Sequence, residues 1–468
     1  MIVFLGLNKH YIYNVMVKLI SFISIVISLF LVAIAPRTYS YGYCLVCLCI
    51  FILNALLILK RNCKYNVVKF EFFFTIAFFF TNFVYPVIYY PVTPYFSLFN
   101  LSFPEHCVCK GIALSTLAYS AFSFGILKAR IASDNNLLGV NGFIKRNSTF
   151  NRITIILLFS LCAVMFPILL QNDYITDWGE GLYIKALLDS MIYCTILIAF
   201  IQIKKYDIKT LFYSNKYFFI LLGLYVLFAT AIGNRGMIMR IGLLLVLYYT
   251  LFIKTIPKKY IIYGTIAGMC LMYVVGAVRE AGTSLESALE NSRGFWDIGL
   301  DLIINNRSQY VLIDYVDKYG ITWGSTTLLN ILSVIPFGQS IFLSLTNFDY
   351  TMMSSALMVT FDYYSPGDEN IIGLGTNLVG DAYVAFGTIG VVAFMFGLGR
   401  LLRYLDFRIK SGCTISLFIY SLLFMEVIIF TRSTMFTPLR SIVWGIMLLY
   451  LFYPQLLKSS KYKLIKRS

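Results

Sequence analysis

Twelve apolar runs divide the chain, at about 15–35, 41–59, 68–90, 111–127, 153–170, 186–203, 217–233, 236–253, 260–278, 382–399, 413–430 and 441–453. Each approaches the roughly 20 residues that a helix needs to cross the hydrocarbon of a bilayer. The pattern predicts an all-α polytopic membrane bundle of about 12 transmembrane helices. One long polar stretch interrupts it. Residues 279–381 carry 12 of the 22 acidic residues, four basic ones, Trp296 and Trp323. Unsatisfied polar groups in hydrocarbon cost several kcal/mol each, so this stretch belongs outside it. The expected organisation is helices one to nine over 1–278, a large loop with amphipathic or re-entrant helices over 279–381, and helices ten to twelve with a basic tail over 382–468.

Inside the loop, Trp296 to Lys318 alternates apolar and polar residues at helical spacing. The next run, Leu328 to Leu345, is broken by Pro336 and Gly338 and reads as re-entrant or interfacial. Ala33-Ile34-Ala35 imitates a signal-peptide cleavage site, but Pro36 follows at once, so the first run reads as an uncleaved helix. Gly264 and Gly268 are spaced as a helix-packing pair.

Composition sharpens the class. Hydrophobic residues make up 59% of the chain and charged ones 13%, where soluble domains carry about a quarter charged. The formal charge of +16 comes without any Lys/Arg tract or aromatic-basic patch, so nucleic acid is excluded as a partner. With the N-terminus cytoplasmic, 27 of the 38 Lys and Arg fall on inside segments. Both termini are then cytoplasmic and the long loop is extracytoplasmic.

The other 11 basic residues are Arg37, Lys110, Lys185, Arg235, Arg240, Arg279, Arg293, Arg307, Lys318, Arg432 and Arg440. Eight of these are Arg, whose planar fork binds phosphate in bidentate fashion. The junction GNRGMIMR (Gly233 to Arg240), Arg279 at the end of helix nine, and TRSTMFTPLR (Thr431 to Arg440) gather them at one membrane face. Glu426 is an isolated acid in helix eleven that calls for a cationic partner, with Arg432 a candidate. The exit from the loop, GLGTNLVGDAYVAFGTIG (Gly373 to Gly390), is punctuated by glycine and carries Asp381. Asp381 fits either a helix cap or a general base and sugar ligand. With two His, no Asp-x-Asp and no usable Cys pair, no metal and no cofactor are expected; Cys107 and Cys109 alone are too few.

The layout and these two motifs resemble the O-antigen polymerase (Wzy) family of bacterial inner membranes. GNRGMIMR is similar to the Arg-Gly element these proteins carry. Asp381, Tyr383 and Phe386-Gly387 are similar to their acidic-x-Tyr…Phe-Gly element, with Asp in place of the frequent Glu. The resemblance implies a multi-pass membrane glycosyltransferase. It would join undecaprenyl-pyrophosphate-linked oligosaccharides at the periplasmic face, alongside a flippase and a chain-length regulator of the same pathway. The Arg set then suggests metal-independent transfer, with Arg235, Arg240, Arg279, Arg432 and Arg440 on the pyrophosphate. Arg293, Arg307, Asp381 and Tyr383 would take the sugar or acceptor, and Asp381, Arg307 and Arg279 the chemistry. A flippase or transporter of the same pathway, and an O-antigen ligase, are the competing readings. Ligases generally place a His in the large loop, which this loop lacks.

Overall fold

The computed structural model describes residues 9–64, 66–92, 103–127, 137–140, 148–171, 181–202, 208–231, 235–268, 302–364, 375–458 and 462–465. The first half runs α1 (Lys9–Ala33), α2 (Tyr41–Asn62), α3 (Phe70–Asn82), α4 (Val108–Ile126), α5 (Ser148–Gln171), α6 (Gly181–Ile201), α7 (Ile208–Ser214), α8 (Lys216–Ala231) and α9 (Arg235–Phe252). Residues 258–268 are also helical. The loop region follows with α10 (Asn305–Tyr319), α11 (Leu328–Leu332) and α12 (Gly338–Thr346). The chain closes with α13 (Leu378–Lys410), α14 (Thr414–Phe430) and α15 (Leu439–Phe452). Apart from helices, the described residues form one short antiparallel pair, Leu137–Val140 against Tyr462–Ile465.

Where the structure describes them, the apolar runs of the sequence fall on helices; residues 203, 232–233 and 269–278 of these runs lie outside the described residues. Five helices are long and apolar enough to cross a membrane: Val15–Ala33, Tyr41–Asn62, Glu105–Ile126, Tyr183–Ile201 and Leu378–Lys410. A sixth span results if Ile208–Ser214 and Lys216–Ala229, bent by 90°, are taken together. Five more apolar helices of 10–17 residues accompany them. This is a multi-pass membrane protein. The run 328–345 is no single span: α11 has five residues and α12 nine, broken where Phe337 takes a positive φ of 61°.

Helix α4 is the centre. All of it is buried except Lys110 and Phe124. Its Ser, Ala and Gly content lets α1, α2 and α13 lie close around it. Hydroxyls and an amide stitch this core together where no water is available. Ser21 Oγ donates to Asn54 Oδ1 at 3.4 Å and to Ser123 Oγ at 3.3 Å, and Asn54 Nδ2 donates to Ser120 Oγ at 3.4 Å. The tightest crossing is α4 on α13. A Cβ on Gly125 would stand 2.5 Å from the Phe396 carbonyl oxygen, and one on Gly399 would stand 2.6 Å from that of Phe122. At Gly264 and Gly268, by contrast, a Cβ meets nothing within 4 Å among the described residues, so the tightest described crossing is not at the pair the sequence pattern offered. Glycine spacing reports a possible groove, not whether a neighbour fills it.

Helix α13 is broken at Phe386 (φ −141°, ψ 15°) and Gly387 (φ 66°, ψ −159°). The break frees carbonyls of the preceding turn. Two are taken up by the loop: Thr322 N–H donates to Val384 O at 2.9 Å and Gly324 N–H to Ala385 O at 3.0 Å. Thus the kink is also the clasp that docks the loop on the bundle.

Gly125→Ala and Gly399→Ala should each lower stability by about 1–3 kcal/mol, the range for overpacking. Gly397→Ala, where a Cβ meets nothing within 4 Å, should not. Melting of the purified variants in detergent checks this contrast.

Candidate functional site

Two buried polar centres hold the sequence-predicted site residues that the structure describes inside the bundle, and one segment joins them. The first lies among α6, α8, α9, α14 and α15. Lys185 Nζ on α6 is 3.1 Å from Asp189 Oδ2, one turn on. The Tyr225 hydroxyl on α8 donates to Asp189 Oδ1 at 3.3 Å. Arg240 on α9 forms an ion pair with Glu426 on α14, Nε to Oε1 2.7 Å. Glu426 therefore finds its cation on α9 and not in Arg432. Helices α9 and α14 pack side by side, whereas Arg432 lies past the end of α14. Arg440 enters the same centre from the first turn of α15, with Tyr183, Asp189 and Arg240 as its electrostatic neighbours.

The charges here do not cancel. Among the described residues, Lys185, Arg240 and Arg440 face Asp189 and Glu426, a surplus of one positive charge. Each acid already has a cation against it. Arg440 is half-buried and has no ion pair or hydrogen bond among the described residues. Ionisable groups at such depth are costly and are tolerated where they pair or bind something. A guanidinium whose N–H donors have no partner among the described residues is suited to an anion, and its planar fork matches phosphate oxygens.

The broken segment between α11 and α12 docks beside this centre. Trp444 Nε1, one turn after Arg440, donates to Val334 O at 2.7 Å. The Tyr183 ring packs on Phe337 (centroids 5.3 Å) and on Trp444 (6.3 Å).

The second centre is where α10 meets α3, α4 and the first turns of α13. Asn305, Asn306, Arg307, Ser308 and Gln309 form a wholly polar run, yet all five are buried. Gln309 Nε2 donates to Gly111 O at 2.9 Å and to Ser115 Oγ at 3.0 Å. Ser115 Oγ donates to Asn82 Oδ1 at 3.1 Å, which also accepts from Asn377 Nδ2 at 3.0 Å. Two glycines let α10 come this near. A Cβ on Gly380 would stand 3.1 Å from Gln309 Cα, and one on Gly111 would stand 2.6 Å from the Tyr310 ring.

Asp381 is fully buried here. It is not the helix cap: Asn377 is, with its Oδ1 accepting from Val379 N–H at 2.9 Å and Gly380 N–H at 3.2 Å. The Asp381 carboxylate accepts from Ser355 Oγ at 2.6 Å and from Met435 N–H at 2.8 Å. A general base has to reach the proton it removes, and these two partners occupy one Asp381 oxygen each. The geometry makes Asp381 a latch on the link between α14 and α15. Thr431 holds the same link, bonded to Thr81 Oγ1 at 2.9 Å and, through its carbonyl, to Leu378 N–H at 3.2 Å. Five residues beyond Met435 the link delivers Arg440 to the first centre.

Tyr383 is buried, with Lys110 Nζ 5.3 Å from its ring centroid. It steadies Lys110 against Asp317 (2.6 Å) and offers no open face to a sugar. Arg307 is buried on α10, and Arg432 is half-buried on the link. Arg235 opens α9, but its side chain, like Arg279 and Arg293, lies outside the described residues. Of the sequence-predicted set, the structure brings Arg240 and Arg440 together and places Arg307, Asp381 and Tyr383 in the second centre. Sequence reasoning missed Lys185–Asp189, Asn82, Gln309, Ser355 and Asn377. Asp189, an acid inside an apolar run, carried the same signal as Glu426.

Asp381→Ala orphans two buried donors, each at about 1–3 kcal/mol, and Asp381→Asn keeps an acceptor for one of them. Amide exchange at Met435 should accelerate strongly in the Ala variant and less in Asn. Unchanged protection in both would remove the latch.

Comparison with known proteins places the chain. No curated protein and no solved structure matches it. A family match, however, runs from residue 20 to residue 463 and so takes in both centres and the link between them. On that match the chain belongs to the O-antigen polysaccharide polymerase Wzy family.

Proposed function

We propose that the protein extends an O-antigen-type polysaccharide from oligosaccharide repeat units carried on undecaprenyl pyrophosphate. The bundle then crosses the inner membrane about twelve times with both termini cytoplasmic, and the reaction takes place at the periplasmic face. Arg440 carries this reading: it is a half-buried cation with no ion pair or hydrogen bond among the described residues, set beside two ion pairs in a multi-pass bundle.

The acceptor hydroxyl oxygen attacks the anomeric carbon of the growing chain on its carrier. The bond from that carbon to the pyrophosphate oxygen breaks, the hydroxyl proton is lost to solvent or a base, and undecaprenyl pyrophosphate departs. The chemical requirement is charge stabilisation on the leaving group, which preorganised cations supply in a water-poor site. Arg440 and Arg240 supply it, with Lys185 one helix away. Glu426 and Asp189 hold Arg240 and Lys185 in place before substrate arrives. Arg235, Arg279 and Arg432 complete the pyrophosphate set. Arg307, in the buried polar run of α10, and Arg293 serve the sugar acceptor. Asp381 acts as a positioning residue, because it anchors the link that delivers Arg440.

The test is a glycan gel of cells carrying Arg440→Ala or Arg440→Lys, with membrane protein level checked. Ala should collapse the ladder to single repeat units, and Lys should restore part of it, since an ammonium keeps the charge but loses the fork. A full-length ladder in Arg440→Ala overturns the assignment. Loss of even single repeat units would point to transport of the units instead.

A further inference from the structure

We propose that His106, Cys107 and Asp314 form a binding site for a divalent ion of the zinc class, which fastens the loop helix α10 to the start of α4. One donor atom from each residue lies within 4.8 Å of the others. His106 Nε2 is 3.3 Å from Asp314 Oδ1. Zinc bonds of about 2.0–2.3 Å place neighbouring donors roughly 4 Å apart or less, so a small turn of the half-exposed imidazole closes the set.

The donor types decide the ion. A thiolate and an imidazole with one carboxylate oxygen suit zinc and its neighbours, whereas magnesium and calcium seek oxygen alone. Both anchors are rigid. Cys107 ends the short turn Glu105–Cys107, its N–H donating to Pro104 O at 3.0 Å, and Asp314 lies within α10. Access is through His106, whose side chain is 49% exposed against 6% for Asp314. Cys107 is 1% exposed. A thiol that deep cannot meet a substrate as a nucleophile, but a bare ion passing His106 can reach it. Binding would exchange the thiol proton for the metal bond, leaving a fourth position for water.

The surroundings hold a built-in competitor. Lys318 Nζ lies 2.7 Å from the other Asp314 oxygen, Oδ2, and is 60% exposed. Lys110 occupies the neighbouring acid, Asp317, at 2.6 Å. Lys318 can leave for solvent, so it weakens the site without closing it. None of these residues belongs to the Arg440 centre, and glycosyl transfer does not run through the ion. Its role is to order the loop helix that bears Arg307.

The test is Co²⁺ titration of the purified, metal-stripped full chain, read by absorbance. One equivalent should bind with a thiolate-to-cobalt charge-transfer band and be displaced by Zn²⁺. Cys107→Ser should abolish the band. His106→Ala, at an exposed position that leaves folding intact, should weaken binding by about tenfold or more, and Lys318→Met should tighten it several-fold. Zn²⁺ should raise the melting temperature of the parent protein and not of His106→Ala. No band, a band that survives Cys107→Ser, or an affinity indifferent to His106→Ala overturns the site.

Discussion

A polar group inside a bilayer has no water to turn to, and this single constraint accounts for most of the architecture. Where α1, α2 and α4 cross, Ser21, Asn54, Ser120 and Ser123 bond to one another. Where α10 enters the bundle, Gln309, Ser115, Asn82 and Asn377 form a chain of donors and acceptors. Glu426 and Asp189 each have a cation. Against that background the Arg440 guanidinium, which has no ion pair or hydrogen bond among the described residues, stands out, and the account of function rests on it.

The second theme is how the polar loop region docks on the apolar bundle beside the Arg440 centre. The kink at Phe386–Gly387 exposes carbonyls that the Thr322–Gly324 turn captures. Asp381 lies just before that kink and grips the amide of Met435, on the same link that carries Arg440. The loop clasp, the latch and the cation are thus consecutive parts of one mechanical chain. Glycine makes the close approaches possible: Gly380 against α10, Gly387 at the break, and Gly125 with Gly399 at the α4–α13 crossing.

Much of this was legible in the sequence, for physical reasons. Apolar run length locates helices because hydrocarbon thickness fixes it, and the described parts of the runs are helical. Pro336 and Gly338 flagged the break between α11 and α12. The need of Glu426 for a partner was also legible, because a lone acid in an apolar run has no other explanation. Its identity was not, since Arg240 lies on a helix far away in sequence and only packing brings the two together. The glycine-rich exit was visible, and Gly380 and Gly387 serve a close helix approach and a break in α13, but Asn377 rather than Asp381 proved to be the cap. The His106–Cys107–Asp314 set was invisible for the same reason as the Arg240 pairing: two adjacent donors suggest nothing until a helix some two hundred residues later supplies the third.

The central claim is that Arg440 holds the pyrophosphate of the lipid carrier. The most direct measurement is the affinity of undecaprenyl pyrophosphate, compared with undecaprenyl phosphate, for the purified protein in nanodiscs and for its Arg440→Ala variant. Charge-assisted hydrogen bonds of about 1.5–3 kcal/mol correspond to a loss of roughly 10–100-fold in the variant. The account predicts that loss for the pyrophosphate, with a smaller effect on the monophosphate. Equal affinity of parent and variant for undecaprenyl pyrophosphate would contradict it.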